Sequence, residues 1–182
     1  MAPTILLAGI TLGVILLAGT AGNAFAAVDF FLKIDGIEGE STQAGYEKWI
    51  QIESFSWGVS QVGSSSLAGG GGTGKASFSN FVITKEFDKA TPKLAEAVVT
   101  GEPLEVTIEL LRITGDKQAY MTYKLTNVMV SSVSQGSTGG STPTESVSFS
   151  YDKFEMTYTP EDSVNQGGPV RMGYDLKAAV KI

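Results

Sequence analysis

Apolar residues recur at every second position along most of this chain, and that spacing limits its fold more than any other feature. The longest example is ESVSFSYDKFEMTY, from Glu145 to Tyr158. Val147, Phe149 and Tyr151 share one parity. Phe154, Met156 and Tyr158 share the other, after a switch at Asp152-Lys153. Side chains alternate between the two faces of a strand, so the pattern predicts extended chain with one buried face. Val28, Phe30, Leu32 and Ile34 repeat it against Asp29, Phe31 and Lys33, and Asp35-Gly36 marks a turn. Trp49 to Trp57 is another strand, with a parity change that predicts a bulge near Glu53-Ser54. Ala76 to Phe87, Leu104 to Ile113, Ala119 to Val133 and Val170 to Leu176 complete the set, with a turn around Gly115-Asp116. One helix interrupts them. Thr91 is a candidate N-cap, Pro92 suits the first helical position, and Gly101 ends the segment. Leu94, Ala97 and Val98 are expected to face the core. The fold class is mainly β: a small antiparallel β-barrel or sandwich with one short α-helix packed on it.

Two stretches break the alternation. Gly63 to Gly74 and Gln135 to Pro143 are rich in Gly, Ser and Thr and read as loops. The 182 residues suffice for one core. Residues 1–26 are set apart. Ile5 to Gly19 is an apolar run, with no charged side chain before Asp29. Its length suits a signal-peptide core better than the roughly 20 residues of a membrane span. Ala24-Phe25-Ala26 supplies the small residues of a cleavage site, so cleavage after Ala26 and secretion are expected. The alternatives are an uncleaved membrane anchor at residues 5–19 and a misassigned start. Residues 27–182 form the β domain.

The chain contains no His and no Cys. Ser-His-Asp and Cys-His catalysis and the usual zinc sites are therefore excluded. A net charge of −6 and no basic run argue against nucleic acid as a partner. Gly69 to Lys75 reads GGGGTGK, close to the phosphate-loop pattern, but Ala76 replaces the hydroxyl residue and a strand follows where a helix is needed. It is read as a loop. The carboxylate pairs Glu38/Glu40 and Glu105/Glu109 are read as solvated sheet surface. Trp49, Phe55, Trp57, Phe149, Phe154 and Tyr158 are read as core. No enzymatic activity, cofactor or metal is expected. A hydrolase using a Ser-Lys or carboxylate pair is the chemical alternative.

Five segments, in order, resemble the Hcp family, the inner-tube proteins of type VI secretion systems. They are AVDFFLKIDGIEGES, ESFSWGVSQ, GGGGTGKASFSNFVITKEFDKATPKLAEAVVTGE with its Lys85–Asp88 and Thr91-Pro92 spacings, STGGSTPTESVSFSYDKFEMTYTP and GYDLKAAVKI. The resemblance implies homo-oligomeric, hexameric rings stacked head to tail into a tube. It implies a spike protein, a sheath and small effectors as partners, and a protein that stays cytoplasmic until the machine releases it. Ser64, Ser65, Ser66, Gly69, Gly70, Gly71 and Gly72 of one loop, and Gly136, Gly139 and Gly140 of the other, are the candidate ring-stacking residues. Ala179-Val180 stands where the family tends to be polar. Typical members begin near this Ala27 without a signal peptide. The alternative function is an exported Hcp-like subunit of an extracellular or envelope tube without a contractile machine.

Overall fold

Twelve strands and one helix follow one another through residues 28–61, 76–112, 118–161 and 167–182, which the computed structural model describes. The strands are β1 (Val28–Ile34), β2 (Ile50–Ile52), β3 (Ser54–Ser56), β4 (Val59–Gln61), β5 (Ala76–Phe78) and β6 (Phe81–Glu86), then β7 (Leu104–Arg112), β8 (Ala119–Gly136), β9 (Thr144–Ser150), β10 (Lys153–Tyr158), β11 (Val170–Asp175) and β12 (Val180–Lys181). The helix α1 is Thr91–Thr100. All pairings are antiparallel. One layer runs β12-β11-β10-β8-β7-β1-β2 and stays open at both ends. The other pairs β3 with β6, β6 with β9, and β9 with the far half of β8. The architecture is thus a sandwich with an open sheet, not a closed barrel.

Three crossings join the layers, and two coincide with the parity changes. The switch at Glu53 is a change of sheet rather than a bulge within one. Ile52 pairs with Phe30 of β1, whereas Ser54 pairs with Thr84 of β6. Ser150 pairs with Met129, and after Asp152 the chain rejoins the first layer, Lys153 opposite Thr126. A face reverses its parity at these points because the chain turns about its own axis to reach the other layer. The third crossing is the bend of β8 at Asn127, whose φ of 53° is a left-handed conformation that asparagine tolerates. Its side-chain amide donates to Asp152, so two crossings are tied together.

The core lies between the layers. Leu32, Ile50, Phe81, Ile83, Ile108, Val147 and Phe149 are fully buried. Phe55 stacks on Phe81 at 5.4 Å, and Trp57 meets Phe154 at 5.1 Å. Trp57 is only part-buried, contrary to a full core position, and its indole N–H donates to the Tyr151 hydroxyl. Trp49 is also partly covered, and Tyr158 is exposed. On α1, Leu94 and Ala97 are buried, but Val98 is exposed, one position past the inward stripe. The helix also starts differently from expectation. Ala90 occupies the cap position without a side-chain cap, and Thr91 is the first helical residue. Gly101 closes the helix with φ 65°.

Gly39 carries one stability prediction. A Cβ there would lie under 3.0 Å from the Trp49 carbonyl oxygen and from Ile50 backbone atoms. Backbone cannot rotate aside as a side chain does. Gly39→Ala should therefore lower stability by roughly 1–3 kcal/mol, as overpacking does. Denaturant titration checks this, and an unchanged midpoint would mean that the chain next to β2 shifts freely.

Candidate functional site

The most polar feature of the interior is Lys85. Its side chain and that of Glu145 are wholly buried. The ammonium donates to Glu86 O at 2.6 Å, Asp88 Oδ1 at 2.7 Å, Glu145 Oε1 at 2.9 Å and Thr91 Oγ1 at 3.3 Å. An ammonium has three protons. The longest of the four contacts involves a hydroxyl that itself donates to Glu145 at 2.8 Å. The nitrogen is therefore saturated, with no valence left to activate a nucleophile. Thr91 serves this network, which is why it does not cap the helix. Asp88 instead accepts the Ala90 backbone N–H at 2.9 Å. The node joins β6, α1 and β9, and Gln135 of β8 adds a bond to Glu145 Oε2 at 3.1 Å.

The suspected carboxylate pairs are occupied too. Glu38 bonds Lys48 and Lys89, and Glu40 accepts the Lys89 backbone N–H. Glu105 accepts the Asn127 backbone N–H. Glu109 accepts the Tyr46 hydroxyl at 2.6 Å. Burial, followed by this bond, pushes the Tyr46 phenol well above its ordinary value.

Of the candidate assembly residues, Gly136, Gly139 and Gly140 fall at the end of a β-ribbon. Ser64, Ser65, Ser66 and Gly69 to Gly72 lie outside the described residues, in sequence between β4 and β5. β4 and β5 pair only with each other, Val59 opposite Phe78 and Gln61 opposite Ala76. A strand, β5, thus follows the glycine run that resembles a phosphate loop. The other loop is shorter than expected. Gln135 and Gly136 belong to β8, opposite Glu145 and Thr144. Gly139 and Gly140 form the turn, Gly140 with φ 89°, and both face open space. Thr138 and Ser141 close the turn on themselves through hydroxyl and backbone bonds.

The two ribbons flank opposite ends of β6. The β4–β5 ribbon adjoins its Phe81 end. The 139–140 turn lies beyond its Glu86 end, where Glu86 pairs with Thr144. Six residues of strand separate them, roughly 17 Å at about 3.4 Å per residue. Periodicity hid this arrangement, because a loop's composition says nothing about the strand end from which it projects.

A second polar cluster holds the chain's end. Lys153 bonds Asp175 at 3.1 Å, and Lys177 bonds Asp152 at 2.6 Å. The Lys177 ammonium, then the Asn127 amide, hold the Asp152 carboxyl below its ordinary 3.8. The Ala178 backbone N–H, then Lys153, do the same for Asp175. A depressed carboxyl stabilises the fold above the unfolded value and loses that contribution as pH falls through the folded value. Stability should therefore decline below about pH 3.8. Asp175→Asn should be less stable at neutral pH and show a shallower acid decline, read from denaturant midpoints across pH. Parallel curves for variant and parent would show that this carboxylate is not tied in solution.

The chain matches the family model for the type VI secretion system effector Hcp over residues 31–158. It is 36% identical over 160 residues to protein Hcp1 of Pseudomonas aeruginosa, covering 85% of this chain and 99% of that one. A solved structure of a type six secretion system protein superposes with a TM-score of 0.79 at 37% identity, covering 86% of this chain and all 100% of the other. Hcp1 from Salmonella typhimurium superposes with a TM-score of 0.71 at 28% identity, covering 86% and 99%.

Proposed function

The chain belongs to the Hcp family of type VI secretion proteins, and from that premise we propose that it is a structural subunit whose hexameric rings stack into the inner tube of such a system. The role is association, with no bond made or broken. The observation that carries the stacking is the placement of the two ribbons at opposite ends of β6. A subunit that stacks head to tail needs different elements on its two ends. The tip of the β4–β5 ribbon, with Ser64 to Ser66 and Gly69 to Gly72, meets the rim of the next ring. Gly139 and Gly140 serve the opposite rim. Spike protein, sheath and small effectors are the further partners of the tube.

No helix among the described residues is long and apolar enough to cross a membrane. Cleavage after Ala26 and secretion remain part of the reading, with Ala24-Phe25-Ala26 as their support. That same segment favours the second reading, an exported tube subunit without a contractile machine. N-terminal sequencing of the protein at its native location separates them. A start at Ala27 supports export by a signal peptide, and a retained residue 1 removes it.

Shortening Ser64–Gly72 tests the stacking. Rings should form as in the parent, and tubes seen by electron microscopy should be suppressed. Raised salt should promote tubes of the parent, since it screens repulsion between acidic rings. Tubes as abundant in the shortened protein as in the parent would remove this loop from the stack.

A further inference from the structure

The β4–β5 ribbon continues the β3–β6 pairing past an irregular step. Ser56 pairs with Val82, and the Ser79 backbone N–H donates to the Gly58 carbonyl at 3.0 Å. Trp57 alone therefore spans on one strand what Asn80 and Phe81 span on the other. Two residues opposite one make a β-bulge, which bends and twists a ribbon and so sets the angle at which it leaves its sheet. Both faces of this bulge are fastened to the body. On the inner face the Trp57 indole N–H donates to the Tyr151 hydroxyl at 2.5 Å, and that hydroxyl donates to the Ser79 carbonyl at 3.0 Å. One phenol thus ties both strands of the ribbon's root to the chain that follows β9. On the exposed face the Asn80 amide donates to Ser131 Oγ of β8 at 3.2 Å and to Ser148 Oγ of β9 at 3.0 Å. Beyond the bulge, Phe78 meets Phe154 of β10 at 5.4 Å and Tyr174 of β11 at 5.0 Å. A ribbon that grows out of the smaller layer is thus held against the larger one.

We propose that Tyr151 and Asn80 are positioning residues for ring stacking: they lock the bulge at Trp57 and so aim the β4–β5 ribbon before a second ring arrives. The inference rests on the stacking reading above and adds the device that aims the ribbon. Among the described residues β4 and β5 pair only with each other, so no neighbouring strand fixes their direction. A ribbon left unaimed has to be ordered at the moment of contact, and that ordering lowers affinity. Every subunit of a ring carries one ribbon, so a small loss per ribbon compounds around the ring. The Tyr151 hydroxyl is the point of control on the inner side. It accepts from one strand and donates to the other, so phenylalanine in its place keeps the packing and releases both strands. Asn80 does the same work from the exposed side, where Ser131 and Ser148 also bond each other at 3.0 Å and give it a fixed anchor.

Two single variants test the proposal. Tyr151→Phe removes only the hydroxyl. Asn80→Ala releases the exposed side without touching the core, so it decides the matter alone if Tyr151→Phe fails to fold. Both are compared with the parent and with the protein shortened over Ser64–Gly72. Sedimentation velocity should show single rings of each at the parent's abundance. Pelleting at raised salt, checked by electron microscopy, should show tubes of either variant only at concentrations roughly tenfold above the parent's. In Tyr151→Phe the Trp57 indole N–H should exchange with solvent roughly tenfold faster by NMR, as a locally opened site does. The Trp49 indole, the other of the chain's two, is the internal reference and should not change. Tubes of either variant at the parent's concentration would overturn the inference and leave the stacking reading intact. Unchanged exchange at Trp57 would also overturn it, since the relay would then be absent in solution. Tubes as abundant in the shortened protein as in the parent would remove the stacking reading, and this inference with it.

Discussion

Lys85→Ala should be the most damaging single substitution away from the apolar core. It leaves Glu145 as a fully buried carboxylate and removes the ion pair of Asp88. Deleting one member of a buried pair costs roughly 3–5 kcal/mol, because the remaining charge stays desolvated without compensation. The loss should spread across three elements, since β6, α1 and β9 meet at this nitrogen. Lys85→Met combined with Glu145→Gln removes both buried charges, and should lie closer to the parent than Lys85→Ala does. The comparison isolates the unpaired charge from the pair itself. Equilibrium denaturation of the parent, the single and the double decides it. A Lys85→Ala cost below about 1 kcal/mol would show that water or a shifted side chain compensates Glu145.

Phe149→Ala carries the second large effect. Phe149 is fully buried near the C-terminal end of β9. It lies opposite Phe81 on one side and Val130 on the other, linking three strands of the smaller layer. Truncating a buried phenylalanine removes its transfer free energy and leaves a cavity, together roughly 3–5 kcal/mol. Trp57→Ala should cost less, since Trp57 is part-buried. Denaturant midpoints of the two variants give the order. A Phe149→Ala midpoint equal to the parent's would contradict the placement of this face in the core.

The contrast between these two sites explains what could be read from the sequence. Phe149 was legible because Val147, Phe149 and Tyr151 alternate with serine, and alternation assigns a face without any knowledge of the partner strand. Glu145 has the same parity as Val147, yet a carboxylate at the end of a strand gives no sign that it is buried. Its partner Lys85 lies 60 positions away in sequence. The Thr91 hydroxyl was legible as a capping group. Its use by the buried node depends on β9 lying alongside the helix start, which local pattern does not contain. The parity changes at Glu53 and Asp152 were visible, but a bulge and a change of sheet leave the same trace in one strand. Only pairing distinguishes them, and pairing is long-range. β4 and β5 have three residues each, fewer than the four or more over which alternation reads as a strand, so β4 gave no signal and β5 read as one strand with β6.

The candidate stacking loops differ in the same way. Composition marked the turn at Gly139-Gly140 as a loop, and the register of β6 with β9 places that turn beyond the Glu86 end of β6.

The central claim is that the mature chain assembles as a ring. The most direct measurement is its absolute mass in solution, by light scattering on the size-separated protein at moderate salt and across concentration. The account predicts one discrete species near six times the subunit mass, given the family's ring architecture, with larger stacked species as salt rises. A single species at the subunit mass at every concentration would contradict it.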